Sequence, residues 1–141
     1  MTPCIFCQIA AANAPASVVY QDAHVTCFLD TQPVNPGHVL VVPQIHVESL
    51  KDLPAAIAAQ MMIVAQQLMR GLRNSDLQCE GINLFLADGS VAGQEVSHVH
   101  LHVIPRFAND GFGLRFAPGY GTHPCREELD DLAAIIRRAV S

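Results

Sequence analysis

No stretch of the sequence holds the roughly 18 consecutive apolar residues that would suggest a membrane-crossing helix. There is no internal repeat, no low-complexity segment and no evident linker. Charge is scarce, with Asp, Glu, Lys and Arg making up 15% of the residues. Basic residues are scarcer still: eight Lys and Arg stand against thirteen Asp and Glu, for a formal net charge of −5. A general affinity for nucleic acid needs a basic footprint and is excluded on that count. A small anion can still bind where the site itself is locally positive. Half of the residues are hydrophobic, which excludes a disordered chain and suggests surface covered by a partner subunit. The N-terminus lacks a basic region followed by an apolar core, so no signal peptide is expected. The five cysteines are Cys4, Cys7, Cys27, Cys79 and Cys125. Their odd number argues for a reducing cytoplasm rather than a disulfide framework.

What is present fits one domain spanning residues 1–141. "CIFCQIAAA" reads as a short helix ended near Pro15. "SVVYQD", "HVTCFLD" and "HVLVVPQ" read as strands, the first two joined by a polar turn and the last two by the Pro/Gly loop "TQPVNPGH". Apolar residues at Ile57, Met61, Ile63, Val64, Leu68 and Leu72 follow a helical period and predict a helix from about Leu53 to Arg73. "GINLFLAD" and "VSHVHLHVIPR" complete five strands. The Gly- and Pro-rich segment after Arg106 predicts a long ordered loop, and "REELDDLAAIIRRAV" a final helix whose charges suit its dipole. Cys27, Cys79 and Cys125 read as small buried hydrophobes, and His24 and His123 as surface residues.

The densest chemistry lies in "SHVHLHVIP". On a strand, alternate residues share a face. His98, His100 and His102 therefore face one way, toward a cleft or a metal, and Val99, Leu101 and Val103 face the long helix. The loop "DGSVAGQEV" delivers Gln94 just ahead of them, and its glycines allow close backbone approach to a ligand. His38 follows another Gly/Pro turn. Imidazoles, backbone amides and a carboxamide suit a phosphate, and an imidazole nitrogen can attack phosphorus to give a phospho-histidine. A zinc site built on the three histidines is the competing reading, because imidazole is the commonest metal ligand.

"HVHLHVIPR", "GQEV" and "PVNPGHVLVVP", in their order along the chain, resemble the blocks of the histidine-triad (HIT) family, and "DGFGLRFAPGYG" resembles the tail of a bacterial subgroup. The resemblance implies an α+β, HIT-like fold: a five-stranded, mostly antiparallel sheet with one long helix packed on it and short N- and C-terminal helices. It implies a nucleotidyl hydrolase or transferase acting at the α-phosphate of a purine nucleoside derivative, either a dinucleoside polyphosphate or a phosphoramidate, through a nucleotidyl-histidine. His100 is then the nucleophile. His102 and His38 hold phosphate oxygens, Gln94 contacts phosphate or leaving group, and Asp30 grips the ribose hydroxyls. Phe6, Ile9 and Phe28 line the purine slot or, equally, pack in the core. Glu95 stands where phosphoramidases often carry a hydroxyl residue, and is expected to offer its backbone N–H and point its carboxylate away. Ala87 stands where many relatives have an amide. Homodimers are implied. A nucleotide-binding or sensing module without catalysis is the alternative function.

Cys4 and Cys7 are open to three readings: core residues one helical turn apart, a redox pair, or half of a zinc site. The redox reading lacks a preceding strand. A structural zinc needs four protein ligands. A zinc-bearing HIT subgroup looks like this chain, with His46 and the first triad histidine, His98, completing the set.

Overall fold

The structure is a computed structural model that describes residues 3–140. A short helix, α1 (Ile5–Ala10), precedes strands β1 (Val18–Gln21), β2 (Val25–Leu29) and β3 (Val39–Pro43). The long helix α2 (Ala55–Asn74) leads to β4 (Gly81–Phe85), β5 (Leu101–Arg106) and α3 (Arg126–Val140). The strands form one sheet in the order β1-β2-β3-β5-β4, with every neighbouring pair antiparallel. The expected α+β architecture, a five-stranded antiparallel sheet with one long helix packed on it, is thus present. The last helix, expected to be short, runs for 15 residues.

Strand alternation sorts the apolar residues into two layers. Val25, Cys27, Val39, Val41, Leu101 and Val103 pack on one face with Met61, Val64, Ala65 and Leu72 of α2. Phe28, Leu40 and Val42 point to the other face and meet Phe6 of α1. Helix α2 buries a stripe at 3.6-residue spacing. Ile63 falls two residues from Met61 on the opposite side, and it is exposed rather than buried. Cys125 likewise proves exposed, and Cys79 only partly buried. Gly37 has a φ of +94°, and a Cβ there would lie 2.9 Å from Leu77 Cδ1. Glycine at that point lets the loop before His38 pass under the end of α2.

Two carboxylates pin the sheet to its surroundings. Asp22 Oδ1 accepts from the backbone N–H groups of His24 (2.7 Å) and Val25 (2.9 Å), closing the β1–β2 turn. Its Oδ2 accepts from Tyr20 Oη (2.9 Å) and from Gln60 Nε2 on α2 (2.8 Å). Burial would raise this carboxyl, but the four bonds outweigh it and hold the pKa at about 2. Asp110 receives a bidentate grip from Arg106 (2.6 and 2.9 Å) and a bond from Asn35 Nδ2 (2.8 Å), tying the loop after β5 to the loop before β3.

Asp22→Asn should keep the turn contacts at Oδ1 and set an amide N–H2 against the Gln60 donor. A loss of about 1–3 kcal/mol is expected in chemical denaturation. Unchanged stability would show that the Gln60 and Tyr20 bonds contribute nothing.

Candidate active site and metal centre

β5 begins at Leu101, later than the sequence suggests. Residues 96–98 bend, and Val99 donates its N–H to the Val47 carbonyl (2.8 Å) instead of joining the strand ladder. Alternation still carries through the segment. Val99, Leu101 and Val103 lie in the α2 core, and the three imidazoles take up three different environments on the other side.

The hydrogen-bond partners fix each ring's tautomer, because a carbonyl can only accept and a backbone N–H can only donate. His100 Nδ1 lies 2.8 Å from the His98 carbonyl, so it carries the proton and leaves a lone pair on Nε2. His98 Nε2 donates to the Pro43 carbonyl (2.8 Å), which leaves its lone pair on Nδ1. His38 Nδ1 accepts from the Val34 N–H (3.0 Å), so its Nε2 donates to His102 Nδ1 (2.8 Å). His102 Nε2 then carries the remaining proton. Burial, reinforced by His100 and His38, pushes His102 down to about 4. Burial also lowers His38, against the pull of Asp30, whose Oδ2 is 3.6 Å away. Both rings are neutral near pH 7 and act as a directed chain of donors.

His38, His100 and His102 line a cavity of about 680 Å³, within the range of small-molecule sites. Its apolar wall includes Phe6, Ile9 and Phe28, and Asp30 lies at the end of β2 beside it. The Phe6 ring meets Phe28 and His100 edge-on, with centroids 5.5 and 5.1 Å apart. Phe6 and Phe28 are thus core residues and cavity wall at once. Glu95, exposed, lines the cavity with Gly93 and Val96. Gln94 departs from expectation. Its Oε1 accepts from Gly89 N–H (2.8 Å), and its Nε2 donates to the carbonyls of Glu48 (2.9 Å) and Val96 (3.0 Å). The carboxamide holds the loop's shape and does not line the cavity. The sequence reading missed Phe85 and Phe112, which also line it. Phe85 comes beside His102 through the β4–β5 register, its ring 5.7 Å away, and no local pattern reports that register.

His98 belongs to a second centre. The Sγ atoms of Cys4 and Cys7 and the Nδ1 atoms of His46 and His98 all lie within 4.8 Å of one another. His98 Nδ1 is 3.5 Å from each sulfur and 3.2 Å from His46 Nδ1, which is 3.3 Å from Cys7 Sγ. A tetrahedral ion with bonds of about 2.0–2.1 Å to nitrogen and about 2.3 Å to sulfur requires edges of roughly 3.3–3.8 Å. Four lone-pair donors converging at such spacings fit a metal ion. Asp30, His38 and His102 also bring donor atoms together. There, however, both nitrogens of His38 are engaged in hydrogen bonds, so the group reads as a bonded chain and not as a ligand set.

A sequence model described as the HIT domain matches residues 11–109. The chain is 44% identical to a HIT-like protein of Borreliella burgdorferi over 117 residues, 82% of this chain and 84% of that one. It is 32% identical to the adenylylsulfatase HINT3 of Arabidopsis thaliana, over 76% of this chain and 54% of the plant protein. Among solved structures, a HIT family member from Bacillus subtilis superposes with a TM-score of 0.87 at 35% identity, over 97% of this chain and 96% of the other. A zinc-bound histidine triad protein from Mycobacterium smegmatis gives 0.75 at 37% identity, over the same shares. A histidine triad nucleotide-binding protein from Candida albicans gives 0.86 at 28% identity, over 98% and 97%. The chain belongs to the HIT family. None of its described helices is long and apolar enough to cross a membrane.

The tautomer chain generates a pH dependence. Unfolded histidine binds its proton near 6.5, whereas folded His102 does so only near 4. Its contribution to stability is therefore complete above pH 6.5 and is lost as pH falls toward 4. The melting temperature should drop across that window, and less steeply in His102→Asn. An equally steep drop in the variant would refute the assignment.

Proposed function

We propose that the protein transfers a purine nucleoside monophosphate from a phosphate derivative to water, by way of a covalent intermediate on His100. The observation that carries this reading is the His100 tautomer: its Nδ1–H is committed to the His98 carbonyl, and Nε2 is left with a lone pair at the cavity. A binding module has no need of an oriented nucleophile.

Phe6, Ile9 and Phe28 take the base, and the two oxygens of Asp30 accept from the ribose hydroxyls. Neutral His38 and His102 supply the donor chain, with the His102 Nε2–H directed to a phosphate oxygen. His100 Nε2 attacks the α-phosphorus. A phosphorus–nitrogen bond forms, and the bond to the leaving group breaks with its electron pair on that group, which takes up a proton from solvent. Water then attacks the same phosphorus and gives up a proton to solvent, the bond to His100 breaks with its electron pair returning to Nε2, and the monophosphate departs. The relatives named for nucleotide binding and for adenylylsulfatase activity support this reaction class.

The ion at Cys4, Cys7, His46 and His98 is read as zinc, on the strength of the donor set and the zinc-bound mycobacterial relative. When bound it supplies folding free energy and holds His98. All four positions are filled by protein, so its role is structural. The pair of subunits that the family pattern implies would cover the exposed Leu84 and Phe85 of the edge strand β4. Free thiols in the described chain suit a reducing cytoplasm.

His100→Ala should lower turnover by several orders of magnitude while AMP still binds. Rapid quench of the wild type into alkaline denaturant, in which a phosphorus–nitrogen bond survives, should trap a nucleotidyl group on His100. A variant with more than about a tenth of wild-type rate would overturn the mechanism.

Protein purified without added metal should contain about one zinc per chain, the number that four ligands hold. Cys4→Ser combined with Cys7→Ser should remove it and lower the melting temperature. A wild-type protein free of zinc would return both cysteines to the core.

A further inference from the structure

The candidate metal centre stands where three segments that build the cavity meet. Cys4 caps α1 and Cys7 lies in its first turn, and α1 contributes Ile5, Phe6 and Ile9 to the cavity wall. His46 follows β3, and the next two residues hold the connection between β4 and β5: the Val47 carbonyl accepts from the Val99 N–H and the Glu48 carbonyl from Gln94 Nε2. Gly93 and Val96 of that connection line the cavity. His98 turns its ring to the centre and its carbonyl to His100. Away from the centre, α1 is held by Phe6 against Phe28, Leu40 and Val42, and by a bond from Gln21 Nε2 to the Ala10 carbonyl (3.3 Å).

Two of the four ligands can also bond to each other. Residues three apart at a helix start have Cα atoms about 5 Å apart, inside the roughly 4.4–6.8 Å that a disulfide spans. The sulfurs of Cys4 and Cys7 lie within 4.8 Å of each other, and both residues are partly exposed. Sulfur binds metal as thiolate, the form that also attacks a peroxide.

We propose that Cys4 and Cys7 form a peroxide-responsive switch: their oxidation to a disulfide empties the metal centre and loosens the nucleotide cavity, and reduction with metal restores both. The inference rests on the readings of the centre as a zinc site and of the cavity as a nucleotide site. One thiolate sulfur attacks a peroxide oxygen, the O–O bond breaks and hydroxide leaves. The second sulfur attacks the sulfenic acid so formed, and the S–S bond closes as a second hydroxide leaves. The sulfurs together lose two electrons to the peroxide, and both hydroxides take protons from solvent. Two imidazoles then remain, half of what a closed zinc site needs. Helix α1 is no longer tied to His46 and His98, so the wall at Phe6 and the carbonyl that orients His100 lose a common anchor. The apolar contacts of Phe6 persist, so the cavity is weakened and not destroyed.

The test starts from reduced protein carrying Cys125→Ser, which removes the exposed thiol, and adds hydrogen peroxide in the presence of a zinc indicator dye. Release of about one zinc per chain should keep pace with the appearance of a Cys4–Cys7 cross-link in the peptide map. The Kd of AMP should rise about tenfold, and a phosphine reductant with added zinc should bring it back. Coupling between sites is reciprocal, so saturating AMP should tighten zinc against a competing chelator by the same factor. Cys7→Ser should bind AMP in the weakened way from the start and not respond to peroxide. A Cys4–Cys7 disulfide formed with zinc retained, zinc lost with both thiols intact, or an AMP affinity unchanged after both events each overturns the switch alone. Reduced protein without zinc overturns the metal reading, and reduced zinc-loaded protein that does not bind AMP overturns the nucleotide reading; the switch falls with either.

Discussion

The hydrogen bond from His100 Nδ1 to the His98 carbonyl fixes which nitrogen of His100 can react. His98 is itself held twice, by Pro43 through Nε2 and by the cysteine–histidine cluster through Nδ1. One residue therefore serves two centres, its side chain the candidate metal site and its main chain the candidate nucleophile. The rotation of the His100 ring and its tautomer are both settled by a group that cannot donate. Two imidazoles in this short segment thus have different jobs without any difference in residue type.

Neutral imidazoles give the site a direction that charged ones would lack. A protonated His102 would attract phosphate more strongly, but it could no longer accept from His38 at Nδ1. Burial and the neighbouring rings disfavour that proton, which keeps the chain from Val34 through His38 to His102 running one way. An anion in the cavity would then meet oriented dipoles inside a partly enclosed space, where they are worth more than in water and need no reorganisation.

Much of the architecture was legible because period-two and period-3.6 patterns report burial directly. The five strands, the α2 stripe and the separation of imidazoles from valines all follow from spacing. Of the four convergent ligand residues His98 sits in a family block, and Cys4, Cys7 and His46 could be named only from the resemblance to a zinc-bearing subgroup. What escaped the sequence is what depends on pairing across the chain. β5 starts late because Val99 finds its acceptor at Val47. Phe85 becomes cavity wall only through its register with His102. Gln94 turns to three backbone groups, because an amide with both ends satisfied at short range has no reason to face solvent. Ile63 is an apolar residue on a helix whose period alone places it outside the stripe, so counting apolar positions misled where measuring angles would not.

The same distinction between type and placement governs the cavity's charge. Net composition is acidic, and that alone says little about a site. Among the described residues no Lys or Arg lines the cavity, Arg106 being locked to Asp110, and the lining carries three imidazoles together with Asp30 and Glu95. The oxygens of Asp30 can accept hydrogen bonds from the hydroxyl donors of a sugar. A phosphate placed beside His38 and His102 would meet neutral N–H donors, oriented by the bonds that run from Val34 through His38.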